Sequence, residues 1–288
     1  MTFRTAYAPV RAVNMDMGGF VVKQPLPHAR INNIDPFLLL HHAGPVSFEG
    51  GGRQSTEGVP PHPHRGFEPV TFVFKGGVHH RDSRGNDHVV RAGGVQWMTA
   101  GMGIVHSERP ARELVEDGGE WELLQLWVNL PARFKMVQPR YQGLSEEDIP
   151  VMDQDGFRIQ VVAGALDRTA GAALTHTPVT ALILHAEEGA STTLALPDGQ
   201  VGFLYALDGH LTLNEEVEVP GNHMAELDGT GPLRIDADQD TRALLMLGEP
   251  IGEPVVSSGP FVMSNTTEIL EAMRDSQIGR MGILIEDF

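Results

Sequence analysis

Short runs of apolar and β-branched residues, broken at close intervals by glycine and proline, recur along most of the chain. Residues 70–75 (VTFVFK) end at Gly76-Gly77. The turn at 83–87 (SRGND) leads to a short strand at 88–91, and Gly93-Gly94 separates that from 95–100 (VQWMTA). A longer apolar run occupies 121–131 (WELLQLWVNLP). From Gly156 onward the same texture resumes at 158–164, 180–186, 191–197, 202–207 and 243–248. Turn signals at this spacing predict an all-β fold of sandwich or barrel type. The end of the chain differs. Asn265 followed by Glu268 is a capping-box pattern, Ile269, Leu270, Met273 and Gln277 follow at helical spacing, and Gly279 offers a stop. One helix is predicted over 266–277.

The segment 139–150 (PRYQGLSEEDIP) carries two prolines and a run of acids. It predicts a linker over 139–155, with one helical turn at 145–148, between domains at 1–138 and 156–288. A loose internal repeat supports two domains. FVFKGGV leading to VVRAGGVQWM in the first half overlays FLYALDGHL leading to VEVPGNHMAEL in the second. Aligning Gly76 on Gly209 and Gly93 on Gly221 makes each half a strand, a glycine turn, a strand and a second glycine turn.

Composition narrows the chemistry. The chain has 288 residues, long enough for a sizeable core, and a formal charge of −17 with pI about 5.1. That counts against gripping nucleic acid, which needs a basic face, and against an anionic membrane surface. The 33 glycines and 20 prolines agree with many turns. With no cysteine, disulfides, thiolate metal sites and thiol nucleophiles are excluded, so any metal must sit on histidine or oxygen ligands. No apolar run approaches the ~18 residues of a membrane span, and the N-terminus lacks a signal-peptide core, so the expected compartment is the cytoplasm.

Histidine spacing supplies the candidate site. In PPHPHRGFE, His62 and His64 are two apart and share a face if the chain is extended there. Pro63 removes a ladder donor, so this strand should lie at an edge. Continuing the parity places Glu68, Val70, Phe72 and Phe74 on the same side. In TAGMGIVHSERP, His106 and Glu108 are again two apart and share parity with Met102 and Ile104. Either pair alone is a weak signal. Converging on neighbouring strands, three imidazoles and a carboxylate suit a divalent ion such as Fe, Mn, Ni, Cu or Zn. They would leave positions open for chemistry.

PHPHRGFE, HHRDS, VQWMTAGMGIVHSE and the tail GEPIGEPVVSSGPFVMSNTTEI together resemble the pirin family, bicupins of the cupin superfamily. The resemblance runs from about Asp35 to Gly282 and thins between 140 and 245. It implies two tandem jelly-roll β-barrels with a C-terminal helix. It also implies one metal, most often iron, held by His62, His64, His106 and Glu108. The general cupin pattern would offer Glu68 as a ligand instead; the pirin pattern leaves it behind the ligands, where it could orient an imidazole. Leu40-His41-His42-Ala43 departs from the acidic residues of many members, and either histidine could approach the site or face solvent. In the second half, the glycine alignment puts Ala195, Pro197, Arg234 and Asp236 at the four ligand positions. His176, His185, His210 and His223 stand isolated there, as turn or surface residues, so one metal per chain is expected.

Family members are described as quercetin 2,3-dioxygenases or as iron-dependent partners of transcription factors. The first description implies O₂-dependent ring cleavage of a flavonol with release of carbon monoxide, with Glu108, or else Glu68, taking the hydroxyl proton. Val70, Phe72, Phe74, Met102 and Ile104 could line a slot for a flat aromatic substrate or simply fill the core, and Trp97 and Trp127 read as packing residues. The second description implies a regulator that binds a protein partner without turnover. A monomer is the simpler expectation, since two barrels can cover each other.

Overall fold

The computed structural model describes residues 2–17, 21–51 and 58–286. The described residues are built mainly of strands, with two α-helices. The chain divides into two compact units, and neither is contiguous: one comprises 43–146 and 251–288, the other 1–42 and 147–250.

In the first unit the strands are β1 (Phe37–Phe48, which crosses the boundary), β2 (Val59–His64), β3 (Phe67–Lys75), β4 (Gly77–Asp82), β5 (Asp87–Arg91), β6 (Val95–Thr99), β7 (Ile104–Pro110), β8 (Gly119–Asn129) and β9 (Arg140–Leu144). They form a larger sheet, in the order β9-β6-β3-β8-β1, and a smaller one, β2-β7-β4-β5. β2 carries Pro60, Pro61 and Pro63, and it lies at the sheet edge as the missing donors require. Its register against β7 slips between His106 and Glu108, where Pro60 and Pro61 stand opposite. At Gly66 (φ +88°) the chain leaves the small sheet for the large one. A Cβ there would lie 1.9 Å from the carbonyl oxygen of Val262, so only glycine fits the corner.

The second unit holds β10 (Val151–Gln154), β11 (Phe157–Ala163), β12 (Val179–Ala186), β13 (Ser191–Leu194), β14 (Val201–Ala206), β15 (His210–Leu213), β16 (Val217–Pro220), β17 (His223–Asp228), β18 (Leu233–Ala237) and β19 (Thr241–Gly248). The sheet orders here are β17-β14-β19-β12-β11-β10 and β13-β18-β15-β16. β1 to β8 therefore recur as β12 to β19 in the same arrangement, so the loose sequence repeat is a structural one. The core of this unit is a large apolar cluster, with Leu182, Leu204, Leu213, Ala225, Leu233, Ile235 and Leu245 all buried. Each buried leucine or isoleucine contributes about 1.5–3 kcal/mol.

The expected division at 1–138 and 156–288 does not match these units. Thr5–Ala6 and Val10–Arg11 add to the edge of β17, and Arg4 bonds the carbonyls of Gln200 and Pro197. The tail after Ile251 returns to the first unit: Val262 and Arg65 pair backbones, and the buried Lys135 ammonium bonds Gly66 O, Val262 O and Asn129 Oδ1. The Arg4 bonds and the Arg65–Val262 pairing link residues about 200 apart, which local pattern does not encode. Nor is 139–155 a linker. It holds β9, β10 and a 3₁₀ turn at Glu146–Asp148, and β9 pairs with β6 along its whole length.

The helix α2 spans Thr266–Gln277 as its pattern predicts. Asn265 Oδ1 accepts from Glu268 N at 3.0 Å, and the Glu268 carboxylate accepts from Ser264 N at 3.0 Å. Ile269 and Ala272 face inward, while Leu270 is exposed. A short helix α1 (Arg112–Asp117) between β7 and β8 had no signal in the pattern.

Candidate metal centre

His62 and His64 on β2 and His106 on β7 meet inside the first barrel. His106 lies directly across from His62 in the β2–β7 register, and Ile104 across from His64. One nitrogen from each imidazole falls within a set whose members are all within 4.8 Å of one another. Among the described residues no other group of three or more His, Asp or Glu does so. His64 and His106 are buried, and His62 is partly open.

The ring partners settle which nitrogen each imidazole presents. His62 Nδ1 donates to the carbonyl of Pro60 at 2.8 Å, and His64 Nδ1 to that of Pro260 at 3.4 Å. Carbonyls only accept, so both Nε2 atoms carry lone pairs. Those two atoms face each other at 3.0 Å. Two nitrogens bound to one ion at about 2.1 Å and at right angles would stand about 3.0 Å apart. His106 Nε2 is buried without any hydrogen-bond partner. Two opposed lone pairs and an orphaned buried nitrogen are what a shared cation would resolve, so the residues fit a metal. Burial, and then the neighbouring His62 ring, hold His64 well below the ordinary histidine range, against a smaller opposing pull from the Pro260 carbonyl. Burial followed by His62, His64 and His80 does the same to His106. Both rings are neutral near pH 7 and available as ligands.

Glu108 stands apart from this nitrogen set. Its Oε1 accepts from Thr71 Oγ1 at 3.0 Å and from Gln96 Nε2, and its Oε2 accepts from Gln125 Nε2 at 2.8 Å. Thr71, Gln96 and Gln125 pair across β3, β6 and β8, so they form one polar row on the interior face of the large sheet. Trp127 and Phe67 flank His64, at ring-centroid distances of 5.5 and 5.0 Å. Trp127 is thus a wall of the site as well as a packing residue. His80 and Asp82 on β4 also border His106. His80 Nδ1 lies 3.4 Å from His106 Nδ1, its Nε2 donates to Asp82 at 3.1 Å, and its ring stacks on Tyr141 at 4.2 Å.

The sequence parity through Glu68 fails. The turn at Gly66 resets the alternation, so the odd positions of β3 face the histidines. Glu68 lies on the opposite face, where it accepts from Trp97 Nε1 at 3.1 Å and Thr99 Oγ1 at 2.6 Å. Val70 and Phe72 share that face and are fully buried, so they fill core rather than line a slot. Ile104 packs with Met98, Ala100 and Tyr141 on the site side. His41 and His42 do not face solvent. Both are buried, His41 against Gln24 at 2.8 Å and His42 against Tyr205 at 2.9 Å. Thr71, Gln96, Gln125, His80 and Asp82 escaped the sequence reading. The glutamines interrupting VQWM and LLQLW were the available signal.

In the second barrel the histidines form no cluster. His210 pairs with Asp238 and His223 with the Gly221 carbonyl, and these two, His176 and His185 are all partly exposed. The strand register corrects the glycine alignment by one residue. Glu108 opposes His80, and Ile235 opposes Leu213; His106 opposes His62, and Leu233 opposes Leu194. The ligand positions are therefore occupied by Leu194, Leu196, Leu233 and Ile235, not by Ala195, Pro197, Arg234 and Asp236. All four are buried in the apolar core.

Comparison with known proteins agrees with this arrangement. Residues 19–128 match the family profile described as Pirin, and 181–282 the one described as Pirin C-terminal cupin domain. A Pseudomonas aeruginosa protein provisionally named quercetin 2,3-dioxygenase is 41% identical over 91% of this chain and 92% of its own. Human pirin is 34% identical over 92% of this chain and 89% of its own. The crystal structure of a quercetin 2,3-dioxygenase from Acinetobacter baumannii superposes with a TM-score of 0.92 at 35% identity, covering 99% of this chain and 100% of that one.

Proposed function

The chain belongs to the pirin family, and on that premise we propose that it is a metal-dependent dioxygenase that opens the ring of a flavonol such as quercetin. The observation that carries this reading is the trio of imidazoles, two of them pinned through Nδ1 by backbone carbonyls, with one nitrogen from each converging in the barrel. It is supported by the two similar proteins that bear the name quercetin 2,3-dioxygenase.

His62, His64 and His106 would hold a divalent transition metal, Fe(II) by family precedent, with Mn, Ni, Cu and Zn compatible with the donors. A bound cation would supply an anchor that acidifies a flavonol hydroxyl lying beside a carbonyl. The chain's own residues do the rest. Glu108 is the proton acceptor on this reading: Glu68 faces away, and both oxygens of Asp82 are taken up by four donors. Oε1 of Glu108 already accepts from Thr71 and Gln96, whereas Oε2 accepts from Gln125 alone and so keeps a lone pair for a proton or, as fourth ligand, for a cation. Phe67 and Trp127 offer aromatic surface next to His64 for a planar substrate. The flavonol takes up one O₂, and loses one carbon as carbon monoxide, leaving the depside ester.

The test is oxygen uptake on adding quercetin to iron-loaded protein, with His62→Ala as control. Uptake that vanishes in the variant supports the reading. Iron bound without uptake overturns it and favours a regulator whose metal is read by a protein partner. A Glu108→Gln variant that keeps its metal and full turnover removes Glu108 as proton acceptor.

A further inference from the structure

His106 differs from the other two imidazoles in what holds its far nitrogen. The Nδ1 atoms of His62 and His64 meet backbone carbonyls, which can only accept. That of His106 meets the Nδ1 of His80, 3.4 Å away in a buried setting, and a histidine nitrogen can donate or accept. The polarity of this contact decides whether His106 Nε2 carries a lone pair or a hydrogen. Left to itself, His80 leaves the matter open.

Asp82 closes it. Its Oδ1 accepts from the backbone N–H groups of Arg84 at 2.8 Å and Asn86 at 3.1 Å, and its Oδ2 from Asn86 Nδ2 at 2.7 Å. The remaining contact on Oδ2 is His80 Nε2 at 3.1 Å. A carboxylate surrounded by donors accepts from His80 as well, so the His80 hydrogen sits on Nε2 and its Nδ1 is a lone pair. His106 must then donate from Nδ1, which leaves its Nε2 bare and aimed into the trio. The geometry points to Asp82 and His80 as a positioning pair that sets the tautomer of His106, doing through a relay what the carbonyls of Pro60 and Pro260 do directly. Tyr141, stacked on His80 at 4.2 Å with 15° between the planes, keeps that ring in the orientation the relay needs. The second barrel has Leu213 where His80 stands, so the relay is absent where the ligands are absent.

The inference rests on His106 being a ligand, but its primary readout does not need the metal. Long-range ¹H–¹⁵N spectra of the metal-free, histidine-labelled protein report the tautomer of His106 directly. The expected result is Nδ1–H in the wild type and a shift toward Nε2–H in Asp82→Asn, whose amide can donate to His80 and reverse the chain. Cobalt(II) affinity should fall roughly 10- to 100-fold in that variant. His80→Asn is the second variant: its amide oxygen accepts from His106 without help, so adding Asp82→Asn to it should cost little further affinity. Wild-type His106 with Nε2–H overturns the proposal. So does an unchanged tautomer in Asp82→Asn, or an equal affinity loss from Asp82→Asn with and without His80→Asn. If the tautomer behaves as described while wild-type protein binds no cobalt, the metal reading fails and the positioning pair stands.

Discussion

The two barrels share one strand order and differ in what fills them. In the first, the interior positions hold His62, His64, Thr71, His80, Gln96, His106, Glu108 and Gln125. Their counterparts in the second are Leu194, Leu196, Leu204, Leu213, Ala225, Leu233, Ile235 and Leu245, each buried in one apolar cluster. The same backbone thus carries either a polar interior that must satisfy every donor and acceptor or an apolar one that need satisfy none. The polar barrel nearly closes its ledger: Glu108 has three donors and His80 has Asp82 and His106. Among the three imidazoles, His106 Nε2 is the ring nitrogen buried without a partner. The positions that hold the three imidazoles in the first barrel are filled by leucines in its sister, where they need no hydrogen-bond partner.

The sharpest way to break the contrast is to make the first barrel resemble the second. His106→Leu, copying Leu233, should abolish metal binding, with content falling from one ion per chain to near zero by elemental analysis. If the protein is the dioxygenase proposed above, turnover should fall at least ~100-fold. The fold should survive, because the change removes one buried orphan, His106 Nε2, in exchange for another, His80 Nδ1, and adds apolar packing. The reverse probe acts on stability. Leu233→Ala should cost about 2–5 kcal/mol in a urea titration, because it opens a cavity in a packed core, and should leave metal content unchanged.

Acid separates the units next. Burial holds His41 down to about 4, and His64 and His106 are also held below 6.5, the ordinary value. Between those limits the unfolded chain binds protons that the folded one refuses. Stability therefore falls as pH drops from about 6.5 toward 4, and is fully present above 6.5. Urea midpoints at pH 7 and 5 check this. His41→Gln should flatten the slope with or without metal, whereas metal loading should steepen the loss by adding proton-driven release from His64 and His106. The smallest effect expected is that of Glu68→Gln. It weakens the bonds from Trp97 and Thr99 by about 1–2 kcal/mol and leaves metal stoichiometry alone, since the side chain faces away from the histidines. Loss of metal in this variant would restore Glu68 to the site.

Much of this was legible along the chain, and the failures share one cause. HPH and HSE put their side chains on one face each because a strand alternates with period two, and that local rule held within β2 and within β7. It failed where it was carried past Gly66, because a left-handed corner resets the count, and so Glu68 was placed with the ligands. The same one-residue sensitivity misassigned the second barrel. Glycine landmarks aligned its turns, but a shift of one put Arg234 and Asp236 where the register places Leu233 and Ile235. The helix over Thr266–Gln277 matched its pattern to the residue, since capping and helical spacing act within a turn or two.

By itself the sequence determined the strands bounded by glycine turns, the repeat, the C-terminal helix and the histidine pairs, because each depends on neighbours a few residues apart. Only the tertiary structure decided which segments share a barrel, why residues 251–286 return to the first unit, and which way each imidazole is turned. Those depend on hydrogen bonds between strands far apart in sequence, such as His64 to Pro260 and His80 to His106, and a side chain learns its partner only when the sheets close.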